Sequence, residues 1–142
     1  MGKYLNWFAP IVTTLALAGC GGELGDEVYT VDLACADDCN HTPSQDGMGT
    51  ATVDGATGQV DITVAGLPQL VDEVYEGWLA GGDEDPISTG RFTTDADGQG
   101  SSTIVLGDIS DRTYERVVLT VEPEPDSSPE PDPRHSLVGT IE

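Results

Sequence analysis

Apolar and polar residues alternate through Val28-Tyr29-Thr30-Val31-Asp32-Leu33 and again through Val60-Asp61-Ile62-Thr63-Val64. Thr103 to Leu106, Tyr114 to Val121 and Ser136 to Ile141 continue the pattern, with Val117, Leu119 and Val121 in phase. A period of two puts one face of each segment against a core and the other in water, the mark of a half-buried β-strand. Between the runs stand Asp54-Gly55, Thr57-Gly58, Gly81-Gly82, Asp97-Gly98 and Gly107-Asp108, residues that reverse a chain with little strain. After Cys20 no long window sustains a helical period. The spacing predicts an all-β domain of about seven or eight short antiparallel strands, a β-sandwich in preference to a small barrel. Glu122 to Pro133, where proline alternates with acid, is expected to be an extended, solvated loop.

The amino terminus departs from this pattern. Met1-Gly2-Lys3 is a short positive start, and Tyr4 to Ala18 is mostly apolar with no acid before Cys20. That is the layout of a signal peptide, too short to span a bilayer and interrupted by Pro10. It ends Leu17-Ala18-Gly19-Cys20, which resembles the lipobox of bacterial lipoproteins at all four positions. The resemblance implies cleavage before Cys20 and a diacylglycerol on its sulfur, two acyl chains being enough for stable anchoring. The alternative is a plain buried cysteine at the end of a membrane anchor. Residues 1–19 are thus read as a lipoprotein signal peptide, 20–27 as a lipidated, glycine-rich tether, and 28–142 as the β-domain. The expected place is the extracytoplasmic side of the cell membrane. The outer membrane is favoured in a host that has one, because Gly21 is not the Asp associated with inner-membrane retention.

Charge narrows the partners. Of five basic residues only Lys3 precedes Cys20, so the mature chain sets four arginines against 26 acids, a net charge of −22. Such a surface repels nucleic acid and anionic headgroups, which excludes both as partners. At about 1 M salt the Debye length shrinks to roughly 3 Å and self-repulsion fades. The acidity therefore suits a saline habitat, and equally the plain solubility of an exposed protein. Cys35 and Cys39, an even pair in an oxidising compartment, are expected to form a local disulfide that stabilises modestly.

From about Thr50 the chain resembles the extracytoplasmic C-terminal domain of anti-sigma-K factors. The matching pieces come in order: Gly66-Leu67-Pro68, Val74-Tyr75-Glu76-Gly77-Trp78-Leu79, Ser88-Thr89-Gly90-Arg91-Phe92, Thr94-Asp95-Ala96-Asp97-Gly98-Gln99-Gly100, Leu119-Thr120-Val121-Glu122-Pro123 and Leu137-Val138-Gly139-Thr140-Ile141. The resemblance over 50–142 implies an immunoglobulin-like β-sandwich and a sensing or interaction role. In that family a cytoplasmic sigma-binding helical domain and a transmembrane helix come first. The signal peptide and tether in their place imply no direct sigma-factor binding here. Pro-Glu-Pro-Asp repeats replace the glycine-rich stretch that usually follows the Glu-Pro. Tyr75 and Trp78, three apart in a strand, are expected on opposite faces, one in the core and one capping an edge. Trp78 and Phe92 are read as structural.

Chemistry is sparse. Asp95-Ala96-Asp97-Gly98-Gln99-Gly100 opens like a calcium loop, but its twelfth position is Leu106, where a bidentate Glu is needed, so a hairpin turn is the preferred reading. Asp83-Glu84-Asp85 is read as a solvated acidic loop. Cys35, Cys39 and His41, even with His135, make at most a partial zinc site. No nucleophile, metalloprotease or phosphate-loop motif is present, and no pair of acids is set among apolar neighbours. The expectation is a non-catalytic module with no cofactor, no catalytic residue and no metal ligand, bound to the membrane through Cys20 and to an envelope protein. A structural or adhesive envelope lipoprotein is the alternative; a calcium-binding surface module or a hydrolase is weaker.

Overall fold

The computed structural model describes residues 22–126 and 128–142. Apart from one 3-10 turn at Thr42–Ser44, the regular structure of the described residues is eight strands. They are β1 (Val28–Ala34), β2 (Met48–Asp54), β3 (Gln59–Ala65), β4 (Glu73–Ala80), β5 (Ile87–Phe92), β6 (Gly100–Val105), β7 (Arg116–Pro123) and β8 (His135–Thr140). All pairings are antiparallel, in the order β5-β4-β7-β8-β1-β2-β3-β6.

The sheet consists of two four-stranded halves, β5-β4-β7-β8 and β1-β2-β3-β6. A single residue pair, Ala34 with Val138, joins them across β1 and β8. The crossing is tight there: a Cβ on Gly139 would stand 2.3 Å from the Asp32 carbonyl oxygen. At the far edge β5 and β6 lie side by side at Gly90 and Ser102 without a ladder. The expected all-β, antiparallel architecture is present with eight strands, curled into a nearly closed, barrel-like sheet.

In-phase residues from both halves fill the interior. Val31 and Leu33 of β1, Val60 and Ile62 of β3, and Val117, Leu119 and Val121 of β7 are fully or almost fully buried. Tyr75 stacks on Phe92 with ring centroids 5.8 Å apart, and its hydroxyl donates 2.6 Å to the Pro68 carbonyl. Burial pushes the phenol pKa well up. Gly77 makes room for this packing: a Cβ there would meet Thr89 Oγ1 at 2.3 Å and Ile62 Cδ1 at 2.7 Å. At the β2–β3 hairpin, Gly58 takes φ +69°, and a Cβ on it would lie 1.8 Å from the Gly107 carbonyl. Only glycine fits such an approach.

Two expectations change. Leu24, inside the segment read as tether, is buried in the core, and its N–H donates 2.8 Å to the Arg112 carbonyl. Gly25 donates to Ser110 and the Tyr29 hydroxyl to Leu24, so the chain is docked before β1 begins. The acid–proline segment is not simply a solvated loop either. Glu122 and Pro123 end β7, Pro123 opposite Glu73 at the end of the β4–β7 ladder. The missing proline N–H is tolerated at such a terminus.

Candidate functional site

Residues 124–126 and 128–134 form a strap over the outer side of β5, β4 and β7, tied to them by polar contacts. On this face Glu76 and Trp78 of β4 and Thr120 and Glu122 of β7 are all buried although alternation points them away from the core. Trp78 Nε1 donates 2.9 Å to Thr120 Oγ1. The Thr120 hydroxyl donates in turn to Glu122 Oε1, which also accepts the Asp132 N–H at 2.8 Å. Glu76 accepts from Ser88 Oγ at 2.6 Å and from Arg91 Nε at 3.1 Å. The same guanidinium reaches Asp126 at 2.7 Å and Glu124 at 3.5 Å.

Glu76, Glu122 and Asp126 bring carboxylate oxygens within 4.8 Å of one another, the set of described residues best arranged to hold a cation. Arg91 already supplies positive charge to two of them. The arrangement can therefore fasten the strap without an ion. At the strap's far end Arg134 pairs with Asp132 at 2.9 Å and with Glu73 at 2.7 Å. These contacts hold the Asp132 carboxyl below the usual range, chiefly through the Arg134 hydrogen bond, and the guanidinium correspondingly up. Strand alternation marks Glu76, Thr120 and Glu122 as solvent-facing, and no local signal reveals that a distant segment covers them.

Tyr75 and Trp78 do lie on opposite faces, Tyr75 in the core. Trp78 is buried on the outer face rather than at an edge, because β4 is paired on both sides. Phe92 packs in the core cluster.

Cys35 and Cys39 are joined by a disulfide with Cα atoms 5.0 Å apart. Both sulfurs are thereby removed as thiolate ligands. His41 Nδ1 lies 2.7 Å from Ser44 Oγ, and Ser44 Oγ lies 2.6 Å from Ser136 Oγ. Burial, reinforced by the Arg134 charge, lowers the imidazole pKa. The His135 carbonyl accepts from the backbone of Asn40 and His41. This corner fastens the β1–β2 connection to β8.

The acidic loops serve themselves. Asp95 Oδ1 accepts the backbone N–H groups of Asp97 at 3.0 Å and Gln99 at 2.9 Å, and Gly98 donates to the Asp95 carbonyl. That is the turn reading of 95–100. In the 83–85 loop Glu84 pairs with Arg112 at 2.9 Å. Cys20, the expected lipidation site, and residues 1–19, the expected signal peptide, lie outside the described residues. No helix of the described residues is long and apolar enough to cross a membrane.

A family-wide sequence profile described as "Anti-sigma-K factor rskA, C-terminal" matches residues 12–137. The match takes in β1 to β7 and ends within β8. No curated protein and no solved structure matches the chain. Anti-sigma factors are regulatory proteins, and the matched span is most of the sequence. The chain belongs to the family of the anti-sigma-K factor rskA C-terminal domain.

Proposed function

We propose that the chain is a lipid-anchored, extracytoplasmic and non-catalytic binding or sensing module that serves anti-sigma-type regulation by contacting an envelope protein. Family membership over residues 12–137 carries the reading, since anti-sigma factors regulate through protein contacts. The lipobox-like Leu17-Ala18-Gly19-Cys20 supports anchoring through Cys20. The finer immunoglobulin-like reading draws support from the passages β3 to β4, β5 to β6 and β6 to β7, each of which moves between the two halves as sandwich connections do. The buried polar contacts of the strap are tied to the fold, so binding rather than chemistry is the natural use of the surface.

Cys20→Ser tests the anchor. The variant is expected to move from the membrane fraction to the soluble fraction, and retention in the membrane refutes lipidation. Crosslinking in living cells tests the partner: a specific envelope protein should be recovered with the wild-type chain. Recovery of the chain alone, together with envelope defects and unchanged transcription on deletion, would replace this reading with the structural one.

A further inference from the structure

The two halves of the sheet present different outer faces. That of β5-β4-β7-β8 is partly overlaid by the chain's own strap, whereas that of β1-β2-β3-β6 faces solvent. Strand register sets Asp32, Thr50, Thr63 and Ser101 in one row across the four strands, and Thr30, Thr52, Asp61 and Thr103 in the next. Beyond the first row lies Met48; beyond the second lie Val28 and Val105. These are three of the four large apolar side chains that the described residues leave exposed. They stand at separate margins of the face, Val28 and Val105 on its two outermost strands and Met48 at the opposite end, each beside the polar rows.

Charge says what fits there. None of the four strands carries a lysine or arginine, and residues 22–90 contain neither. The four arginines stand elsewhere, each against a carboxylate: Arg91 on Asp126, Arg112 on Glu84, Arg116 on Asp38 and Arg134 on Glu73. Asp61 is fixed in place by Gln59 Nε2 and Thr103 Oγ1, both at 2.7 Å, and these hydrogen bonds hold its pKa down. A second copy would bring Asp32, Asp54 and Asp61 against their own counterparts, so like charge opposes self-association through this face.

We infer that the exposed face of β1-β2-β3-β6 is the docking surface for a cationic polypeptide, a lysine- or arginine-rich extended stretch of a partner protein. The inference rests on the binding-module reading above and adds the place and chemistry of contact. Lysine or arginine heads meet Asp32 and Asp61, the hydroxyl rows accept further N–H groups, and aliphatic stems lie on Met48, Val28 and Val105.

The test uses the full-length chain in neutral detergent and, as probe, a short peptide of alternating lysine and threonine. Backbone NMR shifts on titration should concentrate at Thr30, Thr50, Thr52, Asp61, Thr63 and Thr103, and binding should weaken as NaCl rises. The pair Asp32→Asn with Asp61→Asn should weaken binding by about tenfold or more, and Thr63→Lys should do likewise. The pair Asp83→Asn with Asp85→Asn removes equal charge elsewhere and should change binding less than about twofold. An unchanged melting temperature separates lost contact from lost fold, and Thr63→Lys supplies the readout if the aspartate pair unfolds. Equal losses from both aspartate pairs, shifts concentrated in the 83–85 or 124–134 loops, or the same shift map from a glycan fragment but not from the peptide would each overturn the inference. The crosslinking experiment stands apart: an envelope partner recovered equally by wild type and the Asp32/Asp61 variant sinks this surface but keeps the proposed function. No partner at all sinks the function whatever the peptide does.

Discussion

Arg91 carries more of the architecture than any other single charge. Its fork spans strand and strap at once, Nε on Glu76 and Nη2 on Asp126, and these two carboxylates are almost fully withdrawn from water. Removing one partner of a buried pair leaves the other uncompensated, which in dry surroundings destabilises by several kcal/mol. Arg91 itself is 37% exposed, so water makes good part of that loss. Arg91→Gln is expected to lower unfolding free energy by about 2 kcal/mol in urea titration. Arg91→Lys should recover little of it, because an ammonium cannot address two carboxylates with a planar fork. A lysine variant as stable as wild type would show that the strap needs only a point charge.

At the scale of elements, the contact between β4 and β5 depends on an absent side chain. Gly77→Ala drives a methyl into Thr89 Oγ1 and Ile62 Cδ1, an overpacking expected to destabilise by about 1–3 kcal/mol. Thr89 Oγ1 is buried without a hydrogen-bond partner, so Thr89→Ala removes both the obstacle and an unsatisfied hydroxyl. The double variant should be more stable than Gly77→Ala alone in thermal melts; simple additivity of the two changes would place the strain elsewhere. The same strands show where the sequence is legible. Alternation locates β1 and β3 to within a residue, because each has one wet face and one dry face. In β7 it finds the core face of Val117, Leu119 and Val121 but not the burial of the other face, and it misses β4, whose burial is nearly continuous from Tyr75 to Ala80. The strap that ties onto Glu73 and Glu122 comes from residues some fifty positions away from β4, and a local period cannot register it. The disulfide of Cys35 and Cys39 was legible because its two ends are four residues apart. The docking of Leu24 was not, because its partners at Ser110 and Arg112 are remote in the chain.

For the molecule as a whole, charge sets the conditions of stability. Twenty-six acids against five basic residues repel one another across most of the surface, and salt screens exposed repulsion. The melting temperature should climb with NaCl from low to molar concentrations; a flat response would mean that repulsion is too dispersed to matter. Acid should act in two stages. His41 has a lowered pKa in the fold, so the unfolded chain takes up its proton first. Stability attributable to it is complete above about pH 6.5 and is lost as pH falls toward the folded value. Asp132 is likewise lowered, by Arg134, and its contribution, complete above about pH 4, declines as pH drops through the folded value. His41→Gln should abolish the first stage and leave the second, as read by urea titrations across pH.

The docking of Leu24 also bears on how near the membrane the β-domain stands. With lipid on Cys20, only four peptide links separate the anchor from a residue locked in the core, a leash of about 14 Å at full stretch. Were the proposed anchor in place, so brief a leash would deny the domain any distant reach and would hold the Ser110–Arg112 corner near the headgroups. A domain so anchored would meet proteins seated in that same bilayer sideways, rather than soluble molecules beyond it.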